Sequence, residues 1–219
     1  MIGNHILSQY FSDAASYHVA LFGNGLIHKT YTVSTASSPA YILQEVNIGV
    51  FKTPLDIASN LEALSNFLHQ NGKEVFYPTP LSTLQGDPYA IDSGSFYRLT
   101  PFVKGTHTLD ACTSAEQAYE AALQFGKFTA AFKGMDVSTL KPTIPRFHDL
   151  SFRWQQFTEA MQHGNRDRIQ QASTLIEHIQ DDFSIVSRYQ SIVSSSHFLQ
   201  RVTHHDTKIT NVLLNEQGQ

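Results

Sequence analysis

Near its C-terminal end the chain reads Arg201-Val202-Thr203-His204-His205-Asp206-Thr207-Lys208-Ile209-Thr210-Asn211-Val212-Leu213-Leu214, a polar loop between two short apolar runs. The spacing H-x-D-x-K-x-x-N is the arrangement that a phosphoryl-transfer loop requires. A carboxylate (Asp206) accepts or orients the proton of an attacking hydroxyl. An amide five residues on (Asn211) reaches back with its oxygen to hold a magnesium ion on the phosphates. Lys208, two residues after the carboxylate, neutralises charge that builds on the moving phosphoryl group, and His204, two before it, holds the loop in shape by hydrogen bonds. The competing reading is a polar hairpin that carries these residue types by coincidence. A zinc site at His204, His205 and Asp206 is disfavoured, because neighbours on an extended segment point to opposite faces and no second His or Cys cluster has ligand spacing.

Composition narrows the surroundings of this loop. The 15 basic and 19 acidic residues leave a net charge of −4, so a nucleic-acid or membrane surface is not expected and any phosphate site has to be built locally. With 219 residues, 41% of them hydrophobic, the chain suffices for one large or two small domains, without disorder. The one cysteine, Cys112, excludes an internal disulfide, and Met1 to Tyr10 has neither a basic start nor a long apolar core. The expectation is a cytoplasmic protein.

Along the chain, Ile2, Ile6, Leu7, Tyr10 and Phe11 recur at helical spacing and predict a short opening helix that caps a sheet. Residues 16–22 and 26–35 predict a hairpin whose tip is Gly23-Asn24-Gly25, and Tyr41 to Val46 a third strand after a turn at Ser37 to Pro39. Ile57, Leu61, Leu64 and Leu68 mark a helix from Pro54 to about Gln70. Strands are expected near 80–84, 88–92 and 95–103. Beyond residue 104 the texture turns helical: Ser114 with Gln117 predicts a capping box for a helix up to Gly134, a second helix starts at Phe147-His148-Asp149, and a long pattern runs from Asn165 to Val186 with a break near Asp181-Asp182. The apolar runs beside the polar loop are expected as strands. The fold class is therefore α+β, with an antiparallel sheet and one helix in residues 1–103 and a mainly helical part in 104–219 that carries the loop at 203–211.

The loop, the order of sheet then helices, and the glycine tip together resemble the aminoglycoside phosphotransferase and choline kinase superfamily. Gly23 to Tyr31, Tyr41 to Asn47, Phe51-Lys52-Thr53-Pro54, Phe147-His148-Asp149 and Val202 to Lys208 are similar to stretches of its N-acetylhexosamine 1-kinase branch, whose loop typically reads H-N-D-T-K-x-N-N. The resemblance implies a bilobal protein-kinase-like fold, with 1–103 as the nucleotide-binding lobe and 104–219 as a partial helical lobe. It implies ATP and Mg2+ as cofactors and transfer of the γ-phosphoryl to the anomeric hydroxyl of a free sugar; related small-alcohol kinases, or a non-catalytic nucleotide- or protein-binding remnant, remain alternatives.

By the same resemblance Gly23, Asn24, Gly25, Thr30 and Lys52 belong to the nucleotide side, Thr100 to Lys104 to the adenine hinge, and His148, Asp149 and Arg153 to the sugar side, though a helix cap and a surface cation explain the last two equally well. Three departures stand out. His205 and Thr210 replace the two loop asparagines. Gln44-Glu45 occupies the place where many relatives carry a phosphate-clamping Lys, so the partner of a helix carboxylate such as Glu62 is unassigned and Lys29 or Lys52 would have to substitute. The family's second magnesium ligand, an Asp roughly 10 to 20 residues after the loop, would fall beyond Gln219. The resemblance thus implies a truncated lobe with exposed core and a tendency to self-associate.

Overall fold

The structure, a computed structural model, describes residues 4–23, 25, 27–35, 38–74 and 77–218; Ile2, Asn24, Leu26 and Ser37 lie outside the described residues. Among these, β1 (Tyr17–Leu21), β2 (Lys29–Thr35), β3 (Ser38–Val46), β4 (Ala90–Asp92) and β5 (Ser95–Pro101) form a five-stranded sheet in the order β1-β2-β3-β5-β4. Every pairing is antiparallel.

Alternation along these strands sorts the side chains onto two faces. One face buries Val33, Leu43, Tyr97 and Leu99 under Ile6, Leu7 and Tyr10 of the opening segment, whose helical turn is α1 (Asn4–Leu7). Each fully buried leucine contributes roughly 1.5–3 kcal/mol. The Tyr10 hydroxyl is satisfied inside this core, donating to Tyr97 O at 2.6 Å and accepting from Ala90 N–H at 3.0 Å, while burial pushes its pKa up to about 12. The other face turns toward α2 (Pro54–Gln70): the Tyr89 hydroxyl donates to Pro54 O at 2.9 Å, and its ring meets the Phe96 ring edge-on at 5.8 Å.

Local chemistry accounts for several departures from the expected elements. The third strand starts at Ser38 rather than after Pro39. Pro39 sits beyond the stretch of β3 paired with β5 and beside a bulge at Val33/Ser34, where its missing N–H breaks no central ladder. The strand expected at 80–84 shrinks to an isolated bridge between Leu81 and Leu99. Pro78 and Pro80 remove donors upstream of it, and Thr83 closes a turn by bonding Asp87 N–H through its own side chain at 3.0 Å. The apolar run before the polar loop forms no strand: Val202 is buried, whereas Leu199 is 82% exposed.

Residues 1–143 with 201–219 make one compact unit and 144–200 another. The first holds the sheet, α2, α3 (Ala115–Ala131) and a two-stranded ribbon of β6 (Thr106–His107) with β7 (Leu214–Asn215). The start of α3 is a capping box in shifted form. Ser114 Oγ accepts from Gln117 N–H at 3.3 Å, while Gln117 Oε1 accepts from Thr113 N–H at 2.8 Å.

The second unit contains α4 (Leu150–His163), α5 (Arg166–Gln171), α6 (Ser173–Asp181) and α7 (Ser184–Val193). The single long helical pattern is thus broken at Asp182-Phe183, as expected, and also at Ala172, which is the C-cap of α5. Trp154 packs on Phe183 at 4.8 Å, while Leu175, Ile185 and Val193 remain 66%, 57% and 62% exposed. Among the described residues no helix is long and apolar enough to cross a membrane.

Leu214 is 1% exposed and packs with Ala121 and Val212. Leu214→Ala is therefore expected to lower unfolding free energy by about 2–5 kcal/mol, read as a shift of the denaturant midpoint. A loss below 1 kcal/mol would mean that β7 is not part of this core.

Candidate active site

The polar loop is fastened at both ends to the same helix. Upstream, Val202 packs with Phe132, the C-cap of α3, and with Leu68 of α2; downstream, Val212 and Leu214 pack with Ala121 of α3, flanked by Ile209 and Phe125. Between these anchors the backbone is free of strand pairing and closes with a 3₁₀ turn at Ile209–Asn211. This turn brings Asn211 back onto Asp206. Its Nδ2 donates to Asp206 O at 2.9 Å and to Asp206 Oδ2 at 2.7 Å, leaving the amide oxygen as the side chain's remaining acceptor. Lys208 Nζ stands 3.3 Å from the same Oδ2. The Asn211 bond, then Lys208, hold the Asp206 pKa below the ordinary carboxylate value, so this exposed group is ionised at neutral pH. It is competent to accept a proton. The ion pair itself is open to water and adds little stability.

His204 keeps the loop in place differently from the expected hydrogen bonds. Its ring packs on Phe125 at 5.1 Å and edge-on to Phe128 at 5.6 Å, both on α3. His205 adopts φ +63°, in the left-handed region. Asn and His tolerate that region better than most residues with a Cβ. The replacement of asparagine by His205 therefore has a backbone explanation at the position next to the carboxylate.

On the sheet face turned toward α2, register aligns Thr30 of β2, Gln44 of β3 and Arg98 of β5 side by side. Gln44 Nε2 donates to Thr30 Oγ1 at 3.3 Å, and Arg98 donates to Gln44 Oε1 from Nε at 2.9 Å and from Nη2 at 2.5 Å. Beside this row His28 stacks on Phe51 at 5.1 Å and accepts at Nδ1 from Asn47 N–H at 3.1 Å. Burial, and secondarily the Arg98 charge, lower the His28 pKa to about 4, so the ring is neutral.

Asn47 fastens the return of the glycine tip. Its Nδ2 donates to Ile27 O at 3.0 Å while its Oδ1 accepts from Gly49 N–H at 2.9 Å. In the tip, Gly23 has φ +70°, and a Cβ on Gly25 would stand 3.1 Å from His28 O, so both positions favour glycine. Asn24 lies outside the described residues.

Of the two lysines considered as substitutes, Lys29 is placed elsewhere. Lys29 pairs with Glu45 at 3.5 Å, one residue out of step with the Thr30-Gln44-Arg98 row and so on the opposite face. Lys52 is exposed in the segment before α2, and Glu62 is exposed on α2 itself. Sequence reading missed Arg98 and Asn47. The signal for Arg98 was available only as an isolated cation in an apolar-aromatic strand.

His148, Asp149 and Arg153 belong to the second compact unit. Asp149 caps α4, its Oδ1 accepting from Phe152 N–H at 3.0 Å and its Oδ2 meeting Arg146 Nε at 2.9 Å; these bonds, in that order, lower its pKa. Arg153 donates to Phe147 O at 3.0 Å and to Gln156 Oε1 at 2.7 Å. Both side chains are thus engaged in building the start of α4.

Two expectations arise here. His205→Asn should leave stability nearly unchanged, whereas His205→Val should cost about 1–2 kcal/mol in thermal unfolding; equal stability for both would remove the backbone argument. Because the folded His28 pKa lies below its ordinary 6.5, the unfolded chain binds this proton first. Its contribution is fully present above pH 6.5 and is lost as pH falls toward about 4. Unfolding measured across that window should lose less stability in His28→Gln than in the wild type, and identical slopes would contradict this.

The family model described as APH, phosphotransferase enzyme family, matches residues 18–219. Among solved structures, the spectinomycin phosphotransferase APH(9)-Ia, in complex with ADP and spectinomycin, is similar with a TM-score of 0.59 and 15% identity, over 92% of this chain and 61% of that one. An aminoglycoside phosphotransferase from Alicyclobacillus acidocaldarius subsp. acidocaldarius DSM 446 is similar with a TM-score of 0.63 and 16% identity, over 100% of this chain and 64% of that one. The chain thus spans 61% to 64% of the length of these two relatives, and they share its α+β kinase-like fold. With nearly its whole length matched by the family model, the chain belongs to the APH phosphotransferase enzyme family.

Proposed function

We propose that the protein is an ATP- and magnesium-dependent kinase that phosphorylates a hydroxyl of a small molecule, with the anomeric hydroxyl of an N-acetylhexosamine as the acceptor. The observation that carries this reading is the closure of Asn211 onto an ionised Asp206, with Lys208 Nζ against the same carboxylate oxygen. The acceptor oxygen attacks the γ-phosphorus, forming a new P–O bond as the bond to the β-phosphate oxygen breaks. The electron pair leaves with ADP, and the acceptor's proton goes to Asp206 Oδ. Lys208 faces the charge that develops on the transferred group. Asn211 suits magnesium, a hard cation that takes oxygen ligands, because its nitrogen is engaged with Asp206 and its amide oxygen is the free donor atom. When bound there, the metal supplies positive charge to the phosphate oxygens.

Gly23 and Gly25, with Asn24 between them, are proposed to cover the phosphates, Thr30 and Lys52 to lie on the nucleotide side, and His148, Asp149 and Arg153 to serve the acceptor. These roles rest on sequence resemblance. The sugar is likewise proposed on resemblance, and the APH family and the ADP complex of one relative support nucleotide use in general. Aminoglycosides and other small alcohols are the alternative acceptors, since the similar structures are a spectinomycin phosphotransferase and an aminoglycoside phosphotransferase.

An ADP-release assay with free hexosamines, aminoglycosides and choline tests the proposal. Asp206→Asn should lower turnover by about 10²–10⁴-fold while ATP affinity changes little, because the carboxylate acts on the acceptor. Asn211→Ala should weaken the magnesium dependence and move the Asp206 pKa up toward the ordinary carboxylate range, seen by carboxylate NMR titration. Unchanged turnover in Asp206→Asn would instead favour a non-catalytic binding protein.

A further inference from the structure

Arg98 lies on the α2-facing side of the sheet, in register with Gln44. It is half-buried at the middle of β5, and burial lowers its pKa. Among the described residues no carboxylate pairs with it; its acceptor is a neutral amide oxygen, Gln44 Oε1. Removing a guanidinium from water without a counter-charge is costly unless an anion compensates when it arrives. The neighbours fit that anion: His28 beside it is neutral, Tyr89 is a hydroxyl, and Thr30 continues the row as another neutral hydroxyl.

A guanidinium carries five N–H donors in a planar fork suited to two phosphate oxygens, and only Nε and Nη2 are engaged with Gln44. A Cβ on Gly25 would stand 3.9 Å from Thr30 Oγ1, so a polyphosphate reaching Gly25 would meet the end of the row. Lys29 cannot compete, being held by Glu45 on the opposite face.

We propose that Arg98, oriented by Gln44, is the residue that binds the nucleotide's non-transferred phosphates, supplied from β5 across the ladder from Gln44. This rests on the kinase reading above and adds the residue that the reading lacked. Gln44 acts as a positioning residue through Arg98, while Arg98 touches the ligand.

Binding of ATP, ADP, adenosine and tripolyphosphate is measured by calorimetry on the intact protein. Arg98→Gln is expected to weaken ATP, ADP and tripolyphosphate by about tenfold to a hundredfold and to leave adenosine unchanged. Arg98→Lys should recover part of the loss, and Lys29→Gln should bind as the wild type does. ATP binding to Arg98→Gln as tight as to wild type, or an equal loss for adenosine, overturns the assignment. In wild-type protein, which needs no variant to fold, the Arg98 Nε–H NMR signal should shift with ADP and tripolyphosphate and stay in place with adenosine; a signal that ignores phosphate also overturns it. If the wild type binds neither ATP nor adenosine, the kinase reading fails, and the role of Arg98 fails with it. If it binds ATP while Arg98 proves indifferent, only the Arg98 role fails.

Discussion

The geometry of the polar loop depends on apolar packing of its ends against one helix. Val202 is wedged with Leu68 and Phe132, and Val212 and Leu214 with Ala121, so two buried clusters fix a stretch whose intervening polar residues are largely exposed. A water-exposed loop of this length has little enthalpy of its own to define a conformation. Burying its ends lets one short hydrogen bond, Asn211 to Asp206, define the rest. The His204 ring adds a third fastening, using aromatic contact with Phe125 and Phe128 in place of polar bonds.

Charge is handled in opposite ways at the two polar centres. Around Asp206 the groups are exposed, and a neighbouring amide and lysine outweigh a smaller desolvation and bias the carboxylate toward its ionised form. Around Arg98 desolvation dominates, lowering the pKa of the guanidinium and that of His28 beside it. The first arrangement suits a group that must exchange a proton. The second suits a fixed charge waiting for a counter-charge.

Sheet register also separates Lys29 from the polar row on the α2-facing side. Thr30, Gln44 and Arg98 share one face, whereas Lys29 and Glu45 share the other and satisfy each other. A one-residue offset on a strand reverses the face, so nearness in sequence to Gln44 says nothing about which cation can reach the same space. Asn47 performs a similar service for the turn, tying Ile27 and Gly49 together from the end of β3.

Much of this was legible beforehand where the determinant is local. The Asp206-to-Asn211 spacing, the Ser114 cap and the helix from Pro54 to Gln70 each follow from residues within one or two turns of each other, because caps and loop closures are made by near neighbours. The expected strand before the loop and the continuity of the helical pattern across Ala172 failed because pattern alone does not say which apolar residues find a partner. The chain by itself determined the α+β class and a loop with the composition of a phosphoryl-transfer site. Only the tertiary structure decided that Arg98, 54 residues from Gln44, stands beside it, since strand pairing sets which distant side chains share a face and no local pattern encodes that register.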